Sequence, residues 1–298
     1  METLQAAQIA IKNILFATDF EAPASRALPF AVAMANRYGA RLYVSHVIPR
    51  EAYAYASPET VDPVLKEVGD FAAYTLNQIV GPLQQHGLRC DAVLGEGNIT
   101  ELIKDFVSKY SADLVVVGSS RAGWSQAVLG SVAEEIVRDS PCPVLTVGPH
   151  VTTLASSGVQ CIICATDFSP ASAHALEFAV SLAEEYQAHL TLLHVLEGRL
   201  PTSLQFAVEL TERRLRQALP TEVDLRFTPE LVVETGSVAD RIVNRTADLS
   251  GDIIVMGAHG AGALSQMVSR LGSIVHKVIS LAPCPVLTVR GVQRLESQ

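Results

Sequence analysis

A chain of 298 residues is long enough for two domains of roughly 100–200 residues each. With 49% apolar and 18% charged residues it carries a sizeable core, which excludes a disordered chain. The formal net charge of −9 repels phosphate backbones and anionic membrane surfaces, so nucleic acid and membrane are excluded as partners, and any phosphate must be held by local geometry.

The N-terminal stretch METLQAAQIAIKNILFATDF has no basic start followed by an apolar signal core. No apolar run reaches the roughly 18 residues that a membrane helix needs, so a cytoplasmic location is expected. Asn13–Thr18 is an apolar run suited to a buried parallel strand. Ala24–Tyr38 has helical spacing and stops before Gly39, and Arg41–Val47 is a second strand. Val61–Gln85 is a long, more polar helix whose acidic residues, like those of Thr202–Leu219, form a solvated face. Asp91–Leu94 is short and strand-like. Ile99, Leu102, Ile103, Phe106 and Val107 follow the stripe of an amphipathic helix. Leu114–Val117 is a strand, Ser131–Arg138 a helix and Val144–Val147 a last strand.

The same order then repeats. Roughly half of the positions from Ala17 to Val47 are identical to those from Ala165 to Val195, with no gap. ADLVVVGSSRAG pairs with GDIIVMGAHGAG, and LGSVAEEIVRDSPCPVLTV with LGSIVHKVISLAPCPVLTV. Alternating strands and helices imply an α/β fold, a parallel sheet with helices on both faces in each half. The polar segment GPHVTTLASSG is a linker. The expected division is a domain over residues 1–147, a linker over 148–158 and a domain over 159–292.

The cysteines fit a reducing compartment. Cys142 and Cys284 lie in matching Pro-Cys-Pro triplets and are expected to be small buried residues. Cys161 and Cys164 form a C-x-x-C on a strand, where residues three apart face opposite sides, so they are structural.

In an open parallel sheet, ligands bind beyond the carboxyl ends of the strands. Each half offers two such points. One is the end of the first strand, Ala17-Thr18-Asp19 or Ala165-Thr166-Asp167. The other is the glycine-containing loop after the fourth strand. In the second half that loop runs from Gly257 through Gly260 and Gly262 to Gly272-Ser273 and opens a helix. Glycines let backbone approach a ligand, and helix-start N–H groups favour an anion. Ser273 adds a hydroxyl, which makes a phosphate cradle without lysine. No Walker-type loop and no dinucleotide fingerprint occurs. The alternative is an ordinary glycine turn. Ser131 with Glu134 makes a capping box that explains that serine structurally, whereas Ser273 has His276 in the box position.

Asp19 and Asp167 either accept bonds from ribose hydroxyls or cap the following helices. Ser169-Pro170 is itself a cap and first-turn pair, which makes Asp167 less necessary as a cap. His46 and His194 end matching strands as satisfied structural groups. His259 either contacts a phosphate or is a loop residue. No spacing of histidines or cysteines suits a metal, and no nucleophile elbow is present, so no catalytic or metal-binding set is assigned.

A strand ending in ATDF, a strand ending in HV, a glycine loop before a helix and then PCPVLTV resemble the universal stress proteins. The match spans about Ile9–Val147 and Val159–Arg290. The resemblance implies two tandem Rossmann-like domains, each with a five-stranded parallel sheet of order 3-2-1-4-5. It also implies ATP or a related adenine nucleotide, usually with Mg²⁺ or Mn²⁺, in some members and none in others. Pairing of family domains through their last strands implies that Pro143–Val147 and Pro285–Val289 pair within the chain, with homo-oligomers as a further outcome.

The family's binding pattern is G-x2-G-x9-G-[ST]. Gly257 and Gly260 fit its first part, but eleven residues separate Gly260 from Gly272, two more than the pattern. In the first half Arg121 stands where the second glycine belongs, and the loop to Gly130 is one residue short. Either that side chain blocks the phosphates or Arg121 binds them. The resemblance gives Thr166, Asp167 and Val195 to the nucleoside, and Met256, Gly257, Gly260, Gly272, Ser273 and Ile274 to ribose and phosphates. The first-half counterparts are Thr18, Asp19, Val47, Val117, Gly118, Gly130, Ser131 and Val132. The function implied is a nucleotide-binding stress-response or signalling module. The alternatives are a nucleotide-free interaction or chaperone-like protein and a slow ATP hydrolase.

Overall fold

The computed structural model describes residues 9–50, 58–119, 130–151, 158–198, 203–219, 228–259 and 273–291. They fall into two compact units: Ala10–Ser119 with Gly130–Val147, and Ile9 with the described residues from Gly148 onward.

In the first unit the chain runs β1 (Asn13–Ala17), α1 (Ala22–Tyr38), β2 (Arg41–Pro49), α2 (Pro58–Gln85), β3 (Cys90–Gly97), α3 (Ile99–Lys109), β4 (Leu114–Gly118), α4 (Ser131–Asp139) and β5 (Val144–Val147). The strands order as β3-β2-β1-β4-β5, all parallel. In the second unit β6 (Cys161–Ala165), α5 (Pro170–Tyr186), β7 (His189–Leu196), α6 (Leu204–Ala218), β8 (Glu230–Thr235), α7 (Val238–Asp248), β9 (Ile253–Gly257), α8 (Ser273–Leu281) and β10 (Val286–Val289) follow. Its order, β8-β7-β6-β9-β10, is that of the first unit. The expected 3-2-1-4-5 arrangement is therefore present in both.

The chain steps outward twice from the first strand, then returns across it. Right-handed crossovers place the helices of the outward steps on one face and those after the return on the other. The central strands are covered on both faces, and Ile14, Leu15 and Phe16 of β1 and Ile162, Ile163 and Cys164 of β6 are fully buried. Strand ends agree with the apolar runs except at β3. That strand extends through Gly97 because parallel pairing with β2 continues from Leu42–Cys90 to Pro49–Gly97, past the point where its own hydrophobicity ends.

A carboxylate pins each first strand at its amino end. Asp113 Oδ2 accepts from the N–H groups of Lys12 and Asn13 at 2.7 and 2.9 Å. Asp252 does the same for Gln160 and Cys161 at 2.7 and 3.0 Å. These residues end the connection into the fourth strand, so the bonds lock β4 to β1 and β9 to β6 before the sheet pairing begins.

The cysteines are all free thiols. Burial pushes Cys164 and Cys284 up to about 12 and Cys142, which keeps part of its surface exposed, up to about 11. Cys161 and Cys90 are raised too, with burial the main cause. Thiols held this far above neutrality carry almost no thiolate and are structural, as the strand position of the C-x-x-C implies.

Asp252→Ala should lower the unfolding free energy by about 1–3 kcal/mol in urea titration, because it strands two backbone donors. Native protein at pH 8 should also resist alkylation by iodoacetamide at Cys164 and Cys284. Rapid labelling of either, read by mass spectrometry, would contradict the buried-thiol assignment.

Candidate functional site

The pairing of each first strand with the second continues one residue past its end. Thr18 N–H donates to Ser45 O at 2.9 Å, and Thr166 N–H to Leu193 O at 2.9 Å. The chain then turns on its own side chains. Thr18 Oγ1 accepts from Phe20 N–H at 3.0 Å, and Asp19 Oδ1 from Glu21 N–H at 2.9 Å. In the second unit Thr166 Oγ1 accepts from Phe168 N–H at 3.1 Å, and Asp167 Oδ1 from Ser169 N–H at 3.0 Å. Two overlapping side-chain turns of this kind force a tight reversal.

The reversal puts Phe20 at φ 65° and Phe168 at φ 62°, in the left-handed region that a bulky residue avoids. A histidine supports each ring. Phe20 stacks on His46 with centroids 4.2 Å apart, and Phe168 lies against His194 at 4.7 Å. Each histidine also bonds the turn's backbone, from His46 Nδ1 to Thr18 O at 2.8 Å and from His194 Nδ1 to Thr166 O at 2.7 Å. A carbonyl only accepts, so Nδ1 carries the proton in both rings. Burial holds His194 below the usual histidine range, its bond to Thr166 O opposes that, and nearby Arg214 reinforces it. Both histidines are thus the satisfied structural groups expected, and they fix the turn that carries the aspartate.

Neither aspartate is a helix cap. The N-cap of α1 is Glu21, with no side-chain bond. That of α5 is Ser169, whose Oγ accepts from Ser172 N–H at 3.2 Å, with Pro170 in the first turn. Asp19 and Asp167 instead commit one oxygen to the turn and stay exposed at the carboxyl edge of the sheet.

The second point of the site lies on the same edge. Gly118 and Gly257 end β4 and β9 where the first turns of α1 and α5 cross them. A Cβ on Gly118 would lie 2.2 Å from Pro23 O, and one on Gly257 2.9 Å from Ser172 N. Close helix packing therefore demands these two glycines whatever they also do for a ligand. The aspartate turn leads directly into the helix turn that abuts the glycine, so turn and loop form one edge. Val47, Val117, Val195 and Met256 are buried in the strand ends behind it.

The fourth helices begin there as well. Val132 and Ile274, in the first turns of α4 and α8, are apolar yet 37% and 38% exposed. Gly130 is the N-cap of α4 with φ −57° and ψ 142°, a conformation open to any residue. The capping box expected at Ser131 does not form. Ser131 is the first helical residue rather than the cap, so its hydroxyl is one position too late, and Glu134 N–H makes the ordinary helical bond to Gly130 O at 2.9 Å. Ser131 is exposed. Gly260 and Gly272 lie outside the described residues, as do Arg121, Gly262 and the side chain of Ser273, although Ser273 opens α8.

Two features had no sequence signal. The Arg214 guanidinium of α6 lies 4.0 Å over the Phe168 ring. Ser119, beside Gly118, is 1% exposed, and its Oγ has no hydrogen-bond partner among the described residues. Both arise from side chains brought together from distant or unpatterned positions. Among the described residues, no group of three or more His, Cys, Asp and Glu could hold a metal, and no helix is long and apolar enough to cross a membrane.

Residues 10–148 and 159–290 each match the Universal stress protein family. A universal stress protein of Bacillus subtilis is 33% identical over 146 residues, covering 43% of this chain and 97% of its own. One from Synechocystis is 25% identical over 305 aligned positions, covering 94% of this chain and all of the relative. The crystal structure of a universal stress protein from Archaeoglobus fulgidus superposes with a TM-score of 0.70 at 20% identity, over 94% of this chain and 98% of that one, which is a likeness of fold. Two family matches in tandem, a relative aligned along its whole length and the repeated sheet order together assign this chain to the universal stress protein family, as a member carrying two copies of the domain.

Proposed function

We propose that the chain is a cytoplasmic stress-response or signalling module that binds ATP or a related adenine nucleotide, with the second unit the competent site. The observation that carries this reading is the buttressed Thr166-Asp167-Phe168 turn, which holds an exposed carboxylate on the same edge as the end of β9. A carboxylate suits ribose hydroxyls, to which it offers acceptors only. The start of α8, reached through Gly260 and Gly272, suits the phosphates, since helix-start N–H groups and dipole favour an anion. Ile274, exposed in the first turn of α8, offers an apolar contact to the nucleoside. On this reading Thr166, Val195, Met256, Gly257 and Ser273 complete the second site. Thr18, Asp19, Val47, Val117, Gly118, Gly130, Ser131 and Val132 form a weaker first site, with Arg121 in place of the loop's second glycine. Mg²⁺, where it accompanies the nucleotide, would be held mainly by the phosphates, as this ion usually is.

Binding rather than turnover is favoured at this edge. His194 has Nδ1 committed to Thr166 O and Asp167 has Oδ1 committed to Ser169 N–H, so both are tied to holding the turn. A second reading, a nucleotide-free interaction protein on the same fold, draws support from Gly118 and Gly257, whose need for glycine is met by helix packing alone.

Calorimetric titration with ATP and Mg²⁺ should reveal at most two sites. Protein that gives neither heat nor a thermal shift would favour the nucleotide-free reading. Asp167→Asn keeps an oxygen for the turn but replaces an acceptor with a donor. It should weaken ATP binding about ten-fold, roughly 1.4 kcal/mol, with little change in melting temperature. Hydrolysis should be slow, and turnover near the roughly 10 per second typical of enzymes would overturn the non-enzymatic assignment.

A further inference from the structure

The two copies of the turn are buttressed from outside by different chemistry. In the first unit Phe20 packs on an aliphatic cluster of Ile48, Leu65 and Ala72, with Val68 beside it. In the second unit the corresponding ring carries a cation, the Arg214 guanidinium, 4.0 Å above its centroid. Among the described residues no cation stands over Phe20.

We infer that Arg214 recognises the anionic part of the ligand at the second site and gives the two sites different charge selectivity. This rests on the nucleotide reading above and adds the residue that discriminates by phosphate charge. Stacking occupies the flat face of a guanidinium and leaves its in-plane N–H groups free to bond elsewhere. Two other arginines of this unit spend theirs on one carboxylate. Arg245 reaches Glu234 at 2.6 Å and Arg241 reaches it at 3.7 Å. Arg214 makes no ion pair among the described residues and stands exposed on α6. It is held on the ring of the residue next to Asp167, in a chain whose 31 carboxylates outnumber its 22 lysines and arginines. A cation kept unpaired at that point offsets the repulsion that Asp167 and the acidic surface exert on a phosphate chain. The first unit, with aliphatic side chains in that place, has no such offset.

The test compares wild type, Arg214→Met and Arg214→Lys by calorimetry with ATP, AMP and adenosine, at low and high salt. Methionine retains a stem to cover Phe168, and lysine retains the charge. Arg214→Met should weaken ATP at one site roughly five-fold, the upper end for an exposed ion pair. It should weaken AMP less and leave adenosine within two-fold. Arg214→Lys should restore most of the ATP affinity, and the wild-type advantage should shrink at high salt. Equal losses for all three ligands would make Arg214 a packing residue, and unchanged ATP affinity would remove it from recognition; either outcome overturns this inference while nucleotide binding stands. A wild type that binds none of the three ligands would overturn the nucleotide reading itself, and this inference with it.

Discussion

The bond from each histidine Nδ1 to a threonine carbonyl is the constraint on which the candidate site depends. A phenylalanine in the left-handed region costs on the order of 1–3 kcal/mol and persists only where the surroundings over-determine it. Here the surroundings do so several times. The threonine hydroxyl and the aspartate carboxylate each take a backbone N–H, and the histidine closes the turn from the neighbouring strand and packs against the strained ring. The turn thereby holds an aspartate two residues past each strand end, tied to the backbone through one oxygen. The same reversal directs α1 and α5 so closely over the fourth strands that only glycine fits at Gly118 and Gly257.

Duplication makes the second unit a control for the first. The sheet order, the aspartate staple at the amino end and the histidine-buttressed turn are the same in both. The differences gather at the carboxyl edge. Ser169 caps α5 with its side chain where Glu21 does not cap α1. Ser119 stands where the second unit has Ala258. An aliphatic cluster backs Phe20 where Arg214 backs Phe168. Shared geometry with divergent edges is what two binding sites of unequal chemistry on one scaffold require, because fold and site are separable properties.

Much of this was legible in the sequence, for identifiable reasons. Buried parallel strands are uninterrupted apolar runs, so β1, β2, β4 and β5 could be placed to within a residue or two. The repeat fixed the number of domains, and opposite faces along a strand disposed of the C-x-x-C. What failed were features set by partners rather than by local pattern. The length of β3 comes from its pairing with β2. The capping box at Ser131 depended on a helix start that Gly130 took instead. The cap reading of the aspartates failed because their bond, to the N–H two residues on, is a turn that composition does not distinguish from a cap. The left-handed phenylalanine left no trace, since such a conformation normally announces itself through glycine or asparagine. Arg214 was one of several charged residues on a polar helix, and only the packing of α6 against β7 and β8 brings it over Phe168.

On the proposed reading an adenine nucleotide binds at the carboxyl edge of the second sheet, against the Asp167 turn. Mapping backbone amide shifts by NMR during titration with ATP and Mg²⁺ tests it most directly. Saturable shifts are expected at Asp167, Phe168, Val195 and Gly257, at lower ligand concentration than any at Asp19, Phe20, Val47 and Gly118. Absence of saturable shifts in these residues, or shifts confined to the first set of strands, would contradict it.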